Sequence, residues 1–312
     1  MAGVPARMLA LLVAATAGCQ FGTDIPTRTE LADRNESVHE QVMANADLFA
    51  QGEAADHLPK LDATLNAISA RYGEKSVELS QAATDTGLLL LAKGERYDLA
   101  EPYFERALEL SREVFGTDHR ESGYALHDFA IVRNEASPEP FSKRAEPLIK
   151  EAIAVRKRVL GPDHKETAAS ERTLASFLLA SWRRQANPDP ASRLLIEAER
   201  NVSRALPVLD HTLGRSQFEV TELRYLQVEI ALAMQDYQRA GVLARELISR
   251  HHQPCNGFSK TPSARQLQAA ALRGEGRDAE ADAVENAGSE DECDFSLLLP
   301  KLINNSDSSA AP

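Results

Sequence analysis

The sequence predicts an all-α fold, an α-solenoid of stacked antiparallel helix pairs, on three observations. Ala100 to Ser122 (AEPYFERALELSREVFGTDHRES) and Ala145 to Thr167 (AEPLIKEAIAVRKRVLGPDHKET) align without a gap at an offset of 45, and nine of the twenty-three pairs are identical. A period of about 20–50 residues is the signature of a repeat array. Gly73, Gly116, Gly161 and Gly214 lie 43, 45 and 53 residues apart. Nine positions before them stand Thr64, Ala107, Ala152 and Ala205, and sixteen before them His57, Ala100, Ala145 and Ala198. Small residues at fixed places let helices approach closely. Finally, the 312 residues contain only 16 Gly, 15 Pro and 5% aromatics. That composition favours helices over sheets, which draw on β-branched and aromatic residues.

A net charge of −12 lacks the basic footprint of a general nucleic-acid binder. Residues 1–18 read as a signal peptide: Arg7, an apolar run from Met8 to Ala15, then small residues. The run is too short to span a bilayer. Thr16-Ala17-Gly18-Cys19 resembles the lipobox of bacterial lipoproteins, departing from it at Thr16, where an aliphatic is usual. That resemblance implies a lipid anchor on Cys19, and Gln20 after it points to an outer-membrane lipoprotein facing the periplasm. An ordinary signal peptide cut near Ala17 or Gly18 is the alternative. Residues 19–33 read as the tether. The remaining cysteines, Cys255 and Cys293, form an even pair that an exporting compartment would allow to bridge; two free thiols are the other reading.

From 34 to 250 the pattern is helical. Val38, Val42, Ala46 and Phe49 fall on one face, and Leu58, Leu61, Leu65 and Ile68 carry the next as far as Gly73. Four helix pairs (A then B) are then expected: 77–93 with 99–114, 122–134 with 145–159, 167–184 with 192–213, and 219–235 with 237–250. A glycine closes each of the first three, where a left-handed residue is cheapest. The corners 135–144 (EASPEPFSKR) and 185–191 (QANPDPA) are longer and Pro-rich. Residues 251–303 read as C-terminal capping helices, with Phe295–Ile303 folding back on the cap, and 304–312 as a disordered tail.

The motif Ala100-Phe104-Ala107, with Gly94 and Tyr97 before it, resembles the tetratricopeptide repeat. Tyr237-Gln238-Arg239-Ala240 repeats the entry to helix B. Gly161-Pro162-Asp163-His164-Lys165-Glu166-Thr167 and the copy running from Gly116 to Ser122 are similar to the inter-repeat link of the kinesin-light-chain variant. The resemblance covers about 57–250 and implies a protein-interaction scaffold binding a peptide or partner helix on the concave side. Leu126-His127-Asp128-Phe129-Ala130 and Arg172-Thr173-Leu174-Ala175 lack the Asn by which that family holds peptide backbone.

In the family's frame, the groove positions of the A helices are Asp85, His127, Arg172 and Tyr225, followed by Leu89, Ile131, Ser176 and Glu229. The sequence points to no catalytic residue, metal or cofactor. The recurring Asp118-His119 and Asp163-His164 pairs are expected to be structural, the acid capping the next helix and the imidazole packing on the link. Trp182 is expected in the core. His251, His252 and Cys255 offer three soft ligands without a fourth, a weak metal set. Two rival readings remain open: an accessory or enzymatic subunit with a site at that bend, and a purely structural envelope lipoprotein.

Overall fold

The computed structural model describes residues 28–45, 54–92, 96–136, 144–214, 218–250 and 264–286. Among them are twelve α-helices and no strand: α1 (Arg28–Met43), α2 (Leu58–Tyr72), α3 (Val77–Ala92), α4 (Tyr97–Phe115), α5 (Arg120–Ala136), α6 (Ala145–Val159), α7 (Lys165–Arg183), α8 (Arg193–Leu213), α9 (Phe218–Ala233), α10 (Tyr237–Arg250), α11 (Ala264–Gly274) and α12 (Asp278–Asn286). The chain divides into two compact units at Leu174/Ala175, a boundary inside α7. The described chain is already helical from Arg28, within the stretch read from sequence as tether. None of the described helices is long and apolar enough to cross a membrane.

In the first unit each helix packs on the next from α2 to α6, and α1 packs on α3. The alanines of the sequence pattern are the contact points: Ala100, Ala107, Ala145 and Ala152 are all buried. Phe104 of α4 presses on α3 at Gly87, where a Cβ would lie 2.4 Å from the ring. Glycine is required there by close approach rather than by backbone angle. In the second unit α8 packs on α9, α9 on α10, α10 on α11 and α11 on α12, with Ala198 and Ala205 buried as expected. Trp182 is half-buried, and its indole N–H donates to the carbonyl of Asp189 at 2.8 Å, fixing the Pro-rich corner before α8.

The closing glycines have positive φ, +105° at Gly73, +88° at Gly116, +99° at Gly161 and +88° at Gly214. A side chain there would be strained, so glycine ends the helix and turns the chain. Each following A helix, α3, α5, α7 and α9, begins four residues later. Within three of the links a hydroxyl returns to the glycine carbonyl: Ser76 Oγ to Gly73 at 2.9 Å, Ser122 Oγ to Gly116 at 2.6 Å and Thr167 Oγ1 to Gly161 at 2.9 Å.

The structure gives the capping role expected of the aspartates to the histidines. His119 and His164 immediately precede α5 and α7, and their Nδ1 atoms accept the backbone N–H of Glu121 (3.3 Å) and Glu166 (3.2 Å). The imidazole is therefore the helix cap, because the aspartate lies one residue too early to reach the orphan amides. His119 also stacks on Phe115, with ring centroids 4.8 Å apart, and Asp118 instead pairs with Arg158.

Candidate partner-binding face

A common frame for the A helices comes from counting from the closing glycine. Positions eight, eleven and fifteen residues on hold Gln81, Thr84 and Leu88 in α3, and Tyr124, His127 and Ile131 in α5. They hold Ala169, Arg172 and Ser176 in α7, and Glu222, Tyr225 and Glu229 in α9. Ser176 is exposed and every other member is half-buried. Steps of three and four keep them on one side of a 3.6-residue helix. The interleaved positions nine, twelve and sixteen residues on are buried, with Asp128 the one exception. Each A helix thus carries one half-open stripe of mixed chemistry.

The stripe corrects the sequence reading at α3. Asp85 and Leu89 fall one residue out of the frame, and both are buried, Asp85 to 1% exposure. Thr84 and Leu88 hold the positions that His127 and Ile131 hold in α5. Asp85 is occupied internally: Gln81 Nε2 donates to Oδ1 at 2.9 Å, and His39 Nδ1 of α1 meets Oδ2 at 3.1 Å. A carboxylate taken out of water needs such partners. The pairing with Asp85 raises the pKa of His39 against the opposing effect of burial.

Three other expected residues keep their place in the stripe but already have contacts. His127 Nδ1 lies 3.2 Å from Ser170 Oγ of α7. Burial, with Arg156 and Arg172 adding repulsion, holds that imidazole well below its ordinary pKa and keeps it neutral. Glu229 pairs with Arg183 at 3.0 Å. Tyr225 packs beside Val228, Ala231 and Leu267, and burial raises its phenol pKa. Ser176 is exposed. Cys19, Cys255, Cys293, His251 and His252 lie outside the described residues.

Beneath the stripe in the first unit is a polar cluster that the sequence did not suggest. Arg156 of α6 is 1% exposed and is the largest fully buried side chain among the described residues. Its Nη1 donates to the Glu166 carbonyl at 2.8 Å and to Ser170 Oγ at 2.7 Å, and its guanidinium lies 4.8 Å from the Tyr124 ring centre. Gly123 leaves it room, since a Cβ there would stand 3.1 Å from Arg156 Cγ. Asp128 lies in the same cluster. Burial pushes its carboxyl up to about 6, Arg156 opposes that rise, and Glu166 and Glu121 add to it. A charged run such as Val155-Arg156-Lys157-Arg158 reads as a solvated face. Only the placement of Ala152 and Val155 on the buried side of α6 marks Arg156 as an inward residue.

Comparison with known proteins agrees with this architecture. Two tetratricopeptide-repeat family models match the chain, one over residues 89–137 and one over 143–166. No curated protein matches it in sequence. Among solved structures it is similar to the nearly identical TPR-like repeats of a kinesin light chain from Podosopora anserina. There the identity is 14%, the TM-score 0.53, and the match covers 66% of this chain and 91% of that one. It is also similar to BtubC (BKLC) from P. vanneervenii, at 14% identity and TM-score 0.54, over 90% of this chain and 94% of that one. Residues 89–137 and 143–166 match tetratricopeptide repeats, and the all-α fold is similar to that of kinesin-light-chain-like repeat arrays.

Proposed function

We propose that the protein is a protein-interaction scaffold tethered to the cell envelope by lipid on Cys19, which binds an extended peptide or a partner helix on the half-open stripes of its A helices. The repeat fold itself suggests protein–protein interaction, and the stripe is the observation that carries the finer reading. In the first unit it sets the apolar Leu88 and Ile131 beside the polar Thr84, Tyr124, His127 and Arg172. Apolar anchors among polar groups suit a peptide that needs both side-chain pockets and backbone hydrogen bonds. Neutral His127 adds a hydrogen-bonding ring without a charge.

Crosslinking in the native envelope tests this. The expected outcome is capture of one defined protein, lost in a His127→Asp/Arg172→Glu double variant that keeps its helical circular dichroism. Because both residues also contact neighbours, a milder Thr84→Lys variant, confined to the stripe, is run beside it. Capture unchanged in both variants would sink the stripe as the binding face. Separately, Cys19→Ser is expected to move the protein from the membrane to the soluble fraction, and continued tight membrane association refutes the anchor.

A further inference from the structure

The last helix pair of the second unit ends on an open cavity. It has a volume of about 440 Å³ and is lined by Arg245 of α10, Gln268 and Leu272 of α11, Glu280, Ala283 and Val284 of α12, and Arg277 between them. Of α12 only Ala281 is buried; Ala279 and Ala283 are exposed and Val284 is half-buried. Ala279 and Ala283 stand among the exposed Asp278, Glu280, Asp282 and Glu285, so an apolar strip is left open within an otherwise polar outer face of the kind that ends a stack. The charges at the rim are unequal. Arg277 is matched by Glu280 at 2.8 Å and by Glu275 at 2.8 Å. Arg245, among the described residues, has no carboxylate partner.

We propose that this cavity is the docking site of the chain's own C-terminal segment, with the apolar stretch from Phe295 to Ile303 covering Leu272, Ala283 and Val284 and the acidic stretch before it meeting Arg245. Three facts select this occupant. The helix ends at Asn286, two residues beyond Val284, so the following chain starts at the rim. Phe295 stands nine positions after Asn286, a reach of up to about 30 Å at 3.3–3.6 Å per residue. Within that span Glu290, Asp291, Glu292 and Asp294 supply the negative charge that Arg245 lacks, and Phe295, Leu297, Leu298, Leu299, Leu302 and Ile303 supply the apolar cover. A segment tied to the rim also has an effective local concentration in the millimolar range, well above that of a free competitor. The site is separate from the A-helix stripes, so the two readings stand or fall independently.

Hydrogen exchange on the full chain tests it. Removing residues 287–312 is expected to speed exchange at Gln268–Leu272 and Ala281–Val284 by about tenfold or more. A full-length Leu298→Asp/Leu299→Asp variant is expected to do the same, which keeps the test valid if the truncated chain folds poorly. Arg245→Glu should reproduce part of the effect, and adding Glu290→Lys, Asp291→Lys and Glu292→Lys should reverse it. Exchange unchanged by both the truncation and the leucine variant overturns the proposal. Protection that grows with protein concentration also overturns it, because a second copy is then the occupant.

Discussion

The imidazole of His39 on α1 meets the buried carboxylate of Asp85 on α3 at 3.1 Å, and this pair fastens the first described helix to the repeats. The pairing raises the histidine pKa above its ordinary 6.5. Its contribution is therefore complete below about pH 6.5 and is lost as pH rises through the raised value. We expect His39→Ala to cost about 1–3 kcal/mol at pH 5.5 and clearly less at pH 8.5. Denaturant melts of both proteins at the two pH values measure the difference; equal losses at both would show that charge plays no part.

Asp128 should behave in the opposite way when it is neutralised. Its carboxyl titrates at about 6 instead of 3.8, so the folded protein prefers it protonated and stability falls as pH rises from about 4 to 6. Asp128→Asn is expected to stabilise by about 1–2 kcal/mol at pH 7.5, allowing for partial solvent access, and to be neutral near pH 4. Urea melts at both pH values read the outcome, and a destabilised variant at pH 7.5 would show that Arg156 needs the charge.

The two histidine caps predict an acid-side weakness. Burial lowers the pKa of His119 and His164, and each must be neutral at Nδ1 to accept a backbone N–H. Their stabilisation is present above pH 6.5 and fades as pH falls through the lowered folded values. His164→Ala should cost about 1 kcal/mol at neutral pH, while His164→Asn, whose side chain can also cap, should cost less and remove the pH dependence. Thermal melts of the three proteins from pH 5 to 8 would show it.

Gly87 and Phe104 form a packing test. The methyl of Gly87→Ala would sit against the ring, so a loss of about 1–3 kcal/mol is expected. Adding Phe104→Leu should recover part of that loss, giving a favourable coupling energy in the double-mutant cycle. Simple additivity would mean that the ring moves aside.

The B helices were the most legible part of the sequence. Ala100, Ala107, Ala145 and Ala152 mark helix contacts, and a residue that must be small at every copy leaves a pattern that survives divergence elsewhere. The half-open stripe was legible only in part. The sequence places His127, Arg172, Tyr225, Ser176 and Glu229 in it, but puts Asp85 where Thr84 stands, one residue away. On a helix that is a turn of about 100°, enough to exchange an open position for a buried one. The closing glycines carry the register. The cap of α5 was missed for a related reason: Asp118 is the better capping residue by type, and His119 wins by position alone. Arg156 could not be read as buried because its anchors, the Glu166 carbonyl and Ser170 Oγ, belong to the next helix pair.

The spacings between closing glycines differ, at 43, 45 and 53 residues, yet every A helix starts four residues after its glycine and the buried alanines of α4, α6 and α8 keep fixed distances before theirs. All of the length variation falls between the start of an A helix and the first of the buried alanines of its B helix, a stretch that contains the corner of the pair. That corner works as an expansion joint. A tag, a protease site or a foreign loop spliced between Gln185 and Ala191 would leave the rotational phase of every A helix untouched. The same number of residues inserted after Gly161 would rotate the next stripe out of line.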